Sequence, residues 1–175
     1  PSGRYVSCDY GTQNATVFLL WNKGTDGVWY CIREYYYSGR TEGKQKTDSE
    51  YADDLESWLE ETKIKGIIVD PSAASFIAEL RKRGYKVVKA KNNVEDGIRV
   101  VGTKLNQEAI IFADSCVNTI QEFGSYIWDE AAAAHGEDRP VKEHDHAMDA
   151  LRYFVYTILN NQTAIIQSKR KAGFH

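Results

Sequence analysis

Three aspartates stand at the ends of three separate apolar segments of this 175-residue chain. Asp9 closes Tyr5-Val6-Ser7-Cys8, Asp70 closes Ile67-Ile68-Val69, and Asp149 lies in the first turn of a helix-like run from Asp145 to Tyr153. Carboxylates at element ends can converge although they are far apart in sequence. Converging carboxylates repel one another unless cations sit between them, and hard divalent ions with oxygen ligands are the natural partners. A carboxylate cage that holds two such ions is a device for cutting phosphodiesters.

Taken singly, each aspartate has a plainer reading. Asp9-Tyr10-Gly11-Thr12 suits a hairpin turn, although Gly11 also lets a ligand approach the backbone. Asp70 before Pro71-Ser72 is a common helix start, yet the C-terminal end of a central strand is where α/β sheets place their sites. In the third segment Asp145 and Asp149 are four apart and His146 and Asp149 three apart, so all three project near one face of a first helical turn. Asp145 there suits a helix cap, and Asp149 is favoured by the helix dipole. His146 and Asp149 nevertheless lie off the apolar stripe of Ala147, Ala150, Leu151, Phe154, Val155 and Ile158.

The elements that must position these groups follow from periodicity. Arg4–Cys8, Ala15–Trp21 and Val28–Glu34 read as strands, the last two joined by Gly24-Thr25-Asp26-Gly27. Residues 38–46 read as a polar loop. Thr47-Asp48-Ser49-Glu50 is a capping box that opens a helix with Tyr51, Leu55, Trp58 and Leu59 on one side. Ile67–Val69 reads as a central strand covered on both faces. Helices are expected over 72–83, 94–105, 115–128 and 145–159, and a short strand over 86–88, while 109–112 is either a strand or an extended support. A meander followed by α/β units implies an α/β fold, with a mixed sheet and helices on both faces.

A length of 175 residues suits one domain, 42% apolar and 27% charged residues are ordinary for a globular protein, and no apolar run is long enough to cross a bilayer. The net charge of −3 does not by itself suggest a nucleic-acid binder, but DNA needs only one basic face. Arg81, Lys82, Arg83, Lys86, Lys89 and Lys91 form a basic stretch that permits one. Cys8, Cys31 and Cys116 are an odd number of cysteines set in apolar segments, which predicts reduced, buried thiols. The chain opens almost directly on a strand, so it is expected to be one domain of something longer. Gly39-Arg40-Thr41-Glu42-Gly43-Lys44-Gln45 superficially suggests a phosphate loop, but it has three residues between the glycines where four are needed, and Gln45 where Ser or Thr should hold magnesium.

Together, in this order and at these element ends, the acidic residues resemble the ribonuclease H-like superfamily, whose members use carboxylates on the first strand, a later central strand and a C-terminal helix. Within it, Asp145-His146-Ala147-Met148-Asp149-Ala150-Leu151-Arg152-Tyr153 looks like the C-terminal motif of tailed-phage large terminase subunits. Asp9-Tyr10-Gly11-Thr12 and Val69-Asp70-Pro71 look like the two earlier acidic motifs of the same nuclease domain. The resemblance covers roughly residues 4–159. It implies a nuclease domain over 1–160, with 161–175 as a tail or linker.

The resemblance also implies a metal-dependent endonuclease that cuts concatemeric double-stranded viral DNA during genome packaging. Asp9 would bridge two Mg²⁺ or Mn²⁺ ions about 4 Å apart, with Asp70 and Asp149 each favouring one. His146 would ligate a metal, orient a water or donate to a phosphate, and Asp145 would be a further ligand or a supporting acid. Arg139, Lys142 and the Arg81, Lys82, Arg83 group would hold the DNA backbone. The implied partners are double-stranded DNA, an N-terminal ATPase domain of the same full-length protein, the small terminase subunit and the procapsid portal, with no membrane, in the cytoplasm of the infected bacterial host. Other readings are another ribonuclease H-like nuclease such as a resolvase, a docking module that binds metal and DNA without cutting, and, with less support, an actin-like kinase.

Overall fold

Long runs of β-branched and aromatic residues make the first third of the chain a meander. The computed structural model describes residues 3–125 and 145–160, and its first strands are β1 (Arg4–Asp9), β2 (Ala15–Lys23) and β3 (Trp29–Ser38). The β2–β3 hairpin is closed by Asp26, whose carboxylate accepts from the Val28 amide and the Tyr30 hydroxyl. β3 runs on through Tyr35, Tyr36 and Tyr37, further than its apolar alternation predicts, because those residues stay paired with β2 as far as Ala15 opposite Ser38.

The polar stretch that follows contains one helical turn, α1 (Gly39–Glu42), which the sequence reading as a plain loop misses. Gly43 ends it in the left-handed region at φ 69°. The expected capping box opens α2 (Asp48–Leu59): Thr47 Oγ1 accepts from the Glu50 amide while the Glu50 carboxylate accepts from the Thr47 amide. Then come β4 (Gly66–Val69), α3 (Ala74–Lys82), β5 (Val87–Lys89), α4 (Val94–Asn106), β6 (Ile110–Phe112), α5 (Val117–Ser125) and α6 (His146–Phe154), the last continued by a π-helical turn over Val155–Leu159. The ambiguous segment 109–112 is thus a strand. It adds in parallel to the free edge of β3, with Ile110 opposite Trp29 and Phe112 opposite Cys31.

The six strands lie in the order β5-β4-β1-β2-β3-β6. β4 is parallel to β1, β5 to β4 and β6 to β3, while β2 is antiparallel to both its neighbours. The C-terminal ends of every strand except β2 therefore share one edge of the sheet, and Asp9 and Asp70 lie on that edge. Inner strands alternate their side chains between two cores. Val6, Cys8, Phe18, Leu20, Ile67 and Val69 pack under α2 and α3, and Val17, Leu19, Trp21, Cys31 and Ile68 pack under α6. Phe154 of α6 stacks on Trp21 with ring centres 4.3 Å apart. Each fully buried side chain of this size contributes about 1.5–3 kcal/mol, so α6 is firmly seated on the sheet.

Candidate active site

Asp9 is the last residue of β1 and is mostly withdrawn from solvent, because α6 crosses above the strand end. Its Oδ2 lies 2.9 Å from Nδ1 of His146, the first residue of α6. Burial pushes the Asp9 carboxyl up to about 6; the bond to His146 pulls it back, and the charges of Asp149 and Asp145 push it further. His146 is raised above the ordinary imidazole value, chiefly by its bond to Asp9, with burial opposing. Burial thus disfavours charge on both partners and their contact favours it, so the two titrate as a pair.

Asp70 follows the C-terminal end of β4. Its Oδ1 accepts from the Ser72 amide at 2.8 Å and its Oδ2 from the Asn92 side-chain amide at 3.1 Å. The first of these is an Asx turn and not the helix cap that Asp-Pro-Ser suggests: α3 starts only at Ala74, with Ala73 in the capping position. Burial pushes the Asp70 carboxyl up, but the hydrogen bonds from Ser72, Asn92 and Tyr153 outweigh it and hold the group below the usual range. Asp149 Oδ1 accepts from the Arg152 guanidinium at 2.8 Å, and that guanidinium also donates to the main-chain carbonyls of Asn92 and Asn93 at 2.8 and 3.3 Å. Asn92 therefore holds Asp70 by its side chain and Arg152 by its carbonyl, and Arg152 holds Asp149. One chain of contacts joins two of the three carboxylates.

Tyr153 sits among all three. Burial raises its phenol, and the charges of Asp149, Asp9 and Asp70 raise it further. Asp9 and Asp70 follow paired residues of two adjacent parallel strands, Cys8 and Val69, and the first turn of α6, which carries Asp149, meets Asp9 through His146. The donor set is hard oxygen with one imidazole, which suits Mg²⁺ or Mn²⁺. Among the described residues no three His, Cys, Asp or Glu side chains are arranged as a ready-made metal site. A cation would compete with Arg152 for Asp149 and with His146 for Asp9.

Asp145 occupies the capping position of α6, but its side chain makes no capping bond. Glu122 of α5 supplies the acceptor instead: its Oε2 takes the amides of Ala147 and Met148 at 2.7 and 3.1 Å. Burial pushes the Glu122 carboxyl up to about 7 against those bonds. Neither this residue nor Asn92 carries any signal in the sequence, and Arg152 stands inside the helical motif without announcing that it is buried. α6 is buried on almost every side, Met148, Arg152 and Tyr153 included, so it is less one-sided than its apolar stripe suggests.

Gly11 also differs from expectation. A Cβ there would lie 2.9 Å from the Ala15 carbonyl oxygen, so the close approach is to the chain's own turn and not to a ligand. Arg81, Lys82 and Arg83 are at the C-terminal end of α3, which leads away from Asp70 towards the opposite edge of the sheet. Arg83 is held there by Glu79, Asp53 and Glu56 at 2.8, 2.7 and 3.0 Å. The structure gives it this role in joining α2 to α3. Of the basic stretch, Lys89 and Lys91 at the end of β5 are the residues on the carboxylate edge. Arg139 and Lys142 lie outside the described residues. The three thiols are free and buried, as expected, but Cys31 and Cys116 meet at 3.8 Å, which their separation in sequence does not suggest.

No protein-family model matches the chain. Over 157 residues, 87% of its length, it is 27% identical to the large terminase subunit of Escherichia phage T5, of which it covers 34%. Its structure matches that of a large terminase from a thermophilic bacteriophage at a TM-score of 0.88 and 59% identity, covering 90% of this chain and 40% of that one. It matches the large terminase nuclease of a second thermophilic phage, G20c, solved with bound cobalt, at a TM-score of 0.64 and 17% identity, covering 89% of this chain and 81% of that one. The chain thus spans between a third and two fifths of the first two of these proteins, and nearly all of it aligns with a nuclease domain taken alone. The six-stranded mixed sheet is the ribonuclease H-like fold of those nucleases.

Proposed function

We propose that this chain, similar in sequence and fold to the nuclease domains of phage large terminases, cuts double-stranded viral DNA with the help of divalent metal ions during genome packaging. The observation that supports the reading is that Asp9 and Asp70 end adjacent parallel strands at the C-terminal edge of the sheet, while α6 reaches Asp9 through His146 and links Asp149 to Asp70 through Arg152 and Asn92. The G20c nuclease has been solved with cobalt and with magnesium, which supports a divalent ion here.

In this reading Asp9, Asp70 and Asp149 hold two Mg²⁺ or Mn²⁺ ions. Such ions, when bound, lower the pKa of an attacking water and neutralise charge on the oxygen that departs. The chain's own residues prepare the place. His146 fixes the direction of Asp9 through Nδ1, which leaves Nε2 as the nitrogen to meet a water or a phosphate oxygen. Asn92 and Ser72 fix both oxygens of Asp70, and Arg152 fixes Asp149. Asp145 adds negative charge beside Asp9, which favours a bound cation further. Lys89 and Lys91 flank this edge, and contacts to phosphates would make binding sensitive to salt and poor in sequence readout.

The proposed setting is the cytoplasm of an infected bacterium, with an N-terminal ATPase region of the same full-length protein, a small terminase subunit and a portal as partners. A plasmid assay with Mn²⁺, Mg²⁺ or EDTA, run beside Asp149→Ala, tests the proposal. Conversion of supercoiled to nicked and linear DNA that is lost in EDTA and in the variant is the expected result. A folded protein that binds metal and DNA but leaves the plasmid intact would point instead to a docking module.

A further inference from the structure

We infer that Glu122 is a positioning residue that seats the N-terminus of α6 and so aims His146 and Asp149 at Asp9; the inference rests on the nuclease reading above. The first amides of a helix need partners from outside the helix. α6 does not provide its own. Asp145 stands in the capping position at φ −116° and ψ 14°, away from the extended backbone that lets a capping side chain turn back, and it makes no side-chain cap bond. Both the Ala147 and Met148 amides are taken by one oxygen of Glu122. A carboxylate at that end also meets the positive end of the helix dipole.

Glu122 is itself fixed to the sheet. It is 5% exposed, and its other oxygen accepts from the Tyr36 hydroxyl at 3.0 Å. Tyr36 on β3 pairs with Val17 on β2, and Val17 pairs with Asp9 on β1. Asp9, Val17 and Tyr36 therefore form one row across the sheet, with their side chains on the same face. The contacts close a ring: Asp9 to Tyr36 through the sheet, Tyr36 to Glu122, Glu122 to the first turn of α6, and His146 of that turn back to Asp9. A helix end placed by a ring that includes its own target cannot drift relative to Asp9 without breaking a hydrogen bond.

The test compares wild type with Glu122→Ala, Glu122→Gln and Tyr36→Phe, each studied well below its own melting temperature. Mn²⁺ binding is measured by calorimetry, and plasmid cutting is resolved into kcat and KM. Gln keeps an oxygen for both α6 amides and turns its NH₂ to the Tyr36 hydroxyl, which can accept. Glu122→Ala is expected to lose about tenfold or more in Mn²⁺ affinity and in kcat, the usual cost of removing a group that orients metal ligands, with KM for DNA unchanged. Glu122→Gln should restore most of both, and Tyr36→Phe should fall between. A folded Glu122→Ala that binds Mn²⁺ and cuts like wild type overturns the inference. So does a Glu122→Gln as impaired as the alanine variant, since charge and not seating would then be what matters. A wild type that binds Mn²⁺ without cutting refutes the nuclease reading while the affinity comparison still decides on Glu122; a wild type that does neither removes both.

Discussion

Replacing Asp9 by asparagine should make the metal-free protein more stable at alkaline pH, although it removes a central group of the site. Folding raises the Asp9 carboxyl from 3.8 to about 6, and burial is the leading cause. At roughly 1.4 kcal/mol per pH unit, holding this group ionised in the folded protein costs about 3 kcal/mol once the pH is well above 6. A raised carboxyl acts against folding: the cost is absent below the unfolded value near 4, grows as pH rises between 4 and 6, and is complete above. Asparagine is close to isosteric and carries no charge, so it avoids the cost. His146 works in the other direction. Its raised value contributes stability that is fully present below its ordinary 6.5 and fades as pH rises through the folded value, so the share lost with Asp9 is largest in acid. For a chain of this length 1 kcal/mol moves the melting temperature by about 2–4 °C, which gives an expected rise of about 6–12 °C for Asp9→Asn in EDTA near pH 8. The gain should shrink steadily towards pH 4. Thermal melts of both proteins across that range are the assay, repeated with Mn²⁺, which should stabilise wild type and not the variant. An Asp9→Asn that melts below wild type at pH 8, or a gap that stays constant with pH, would refute the account of Asp9 as a buried, strained carboxylate.

Asp70→Ala and Asp149→Ala should each abolish metal-dependent plasmid cutting while far-UV circular dichroism stays that of wild type; normal cutting by either removes that residue from the site. Gly97→Ala places a Cβ 2.6 Å from Cγ and 2.8 Å from Cδ of Arg152, whose guanidinium is tied to Asn92, Asn93 and Asp149. Urea unfolding should show a loss of about 1–3 kcal/mol from this overpacking, despite the better helix propensity of alanine. Arg81→Ala combined with Lys82→Ala should leave KM for DNA unchanged at any salt concentration, because the end of α3 is at the edge of the sheet opposite the carboxylates; a clear rise in KM would mean that DNA reaches round the molecule. Thr47→Ala removes one arm of the capping box of α2 and should cost about 1 kcal/mol in the same urea experiment, with cutting unaffected.

What a sequence discloses here depends on whether the governing interaction is local. The capping box at Thr47 and the Asp26 turn are fixed by neighbours a few residues away, and the buried run Ile67–Val69 declares itself by three consecutive apolar residues. β6 is hard to recognise because three residues make a strand only when the edge of β3 is there to pair with them. The same division runs through the site. Asp9 and Asp70 are visible because each ends an apolar segment and Asp149 because it lies in the first turn of an amphipathic helix, and the shared edge of the parallel strands is a consequence of element order. Their partners are invisible for the converse reason. Asn92 lies 22 residues from Asp70, Arg152 lies 60 from the Asn92 carbonyl it binds, and Glu122 lies 25 from the amide it caps. Nothing local to Glu122 distinguishes it from a solvated acid on a helix. The capping position held by Asp145 invites the simpler reading that the helix caps itself, and the backbone at Asp145 excludes that reading. Acidic residues at the ends of strands therefore locate the site, and the groups that set its geometry come from elements that reach it only once the sheet is built.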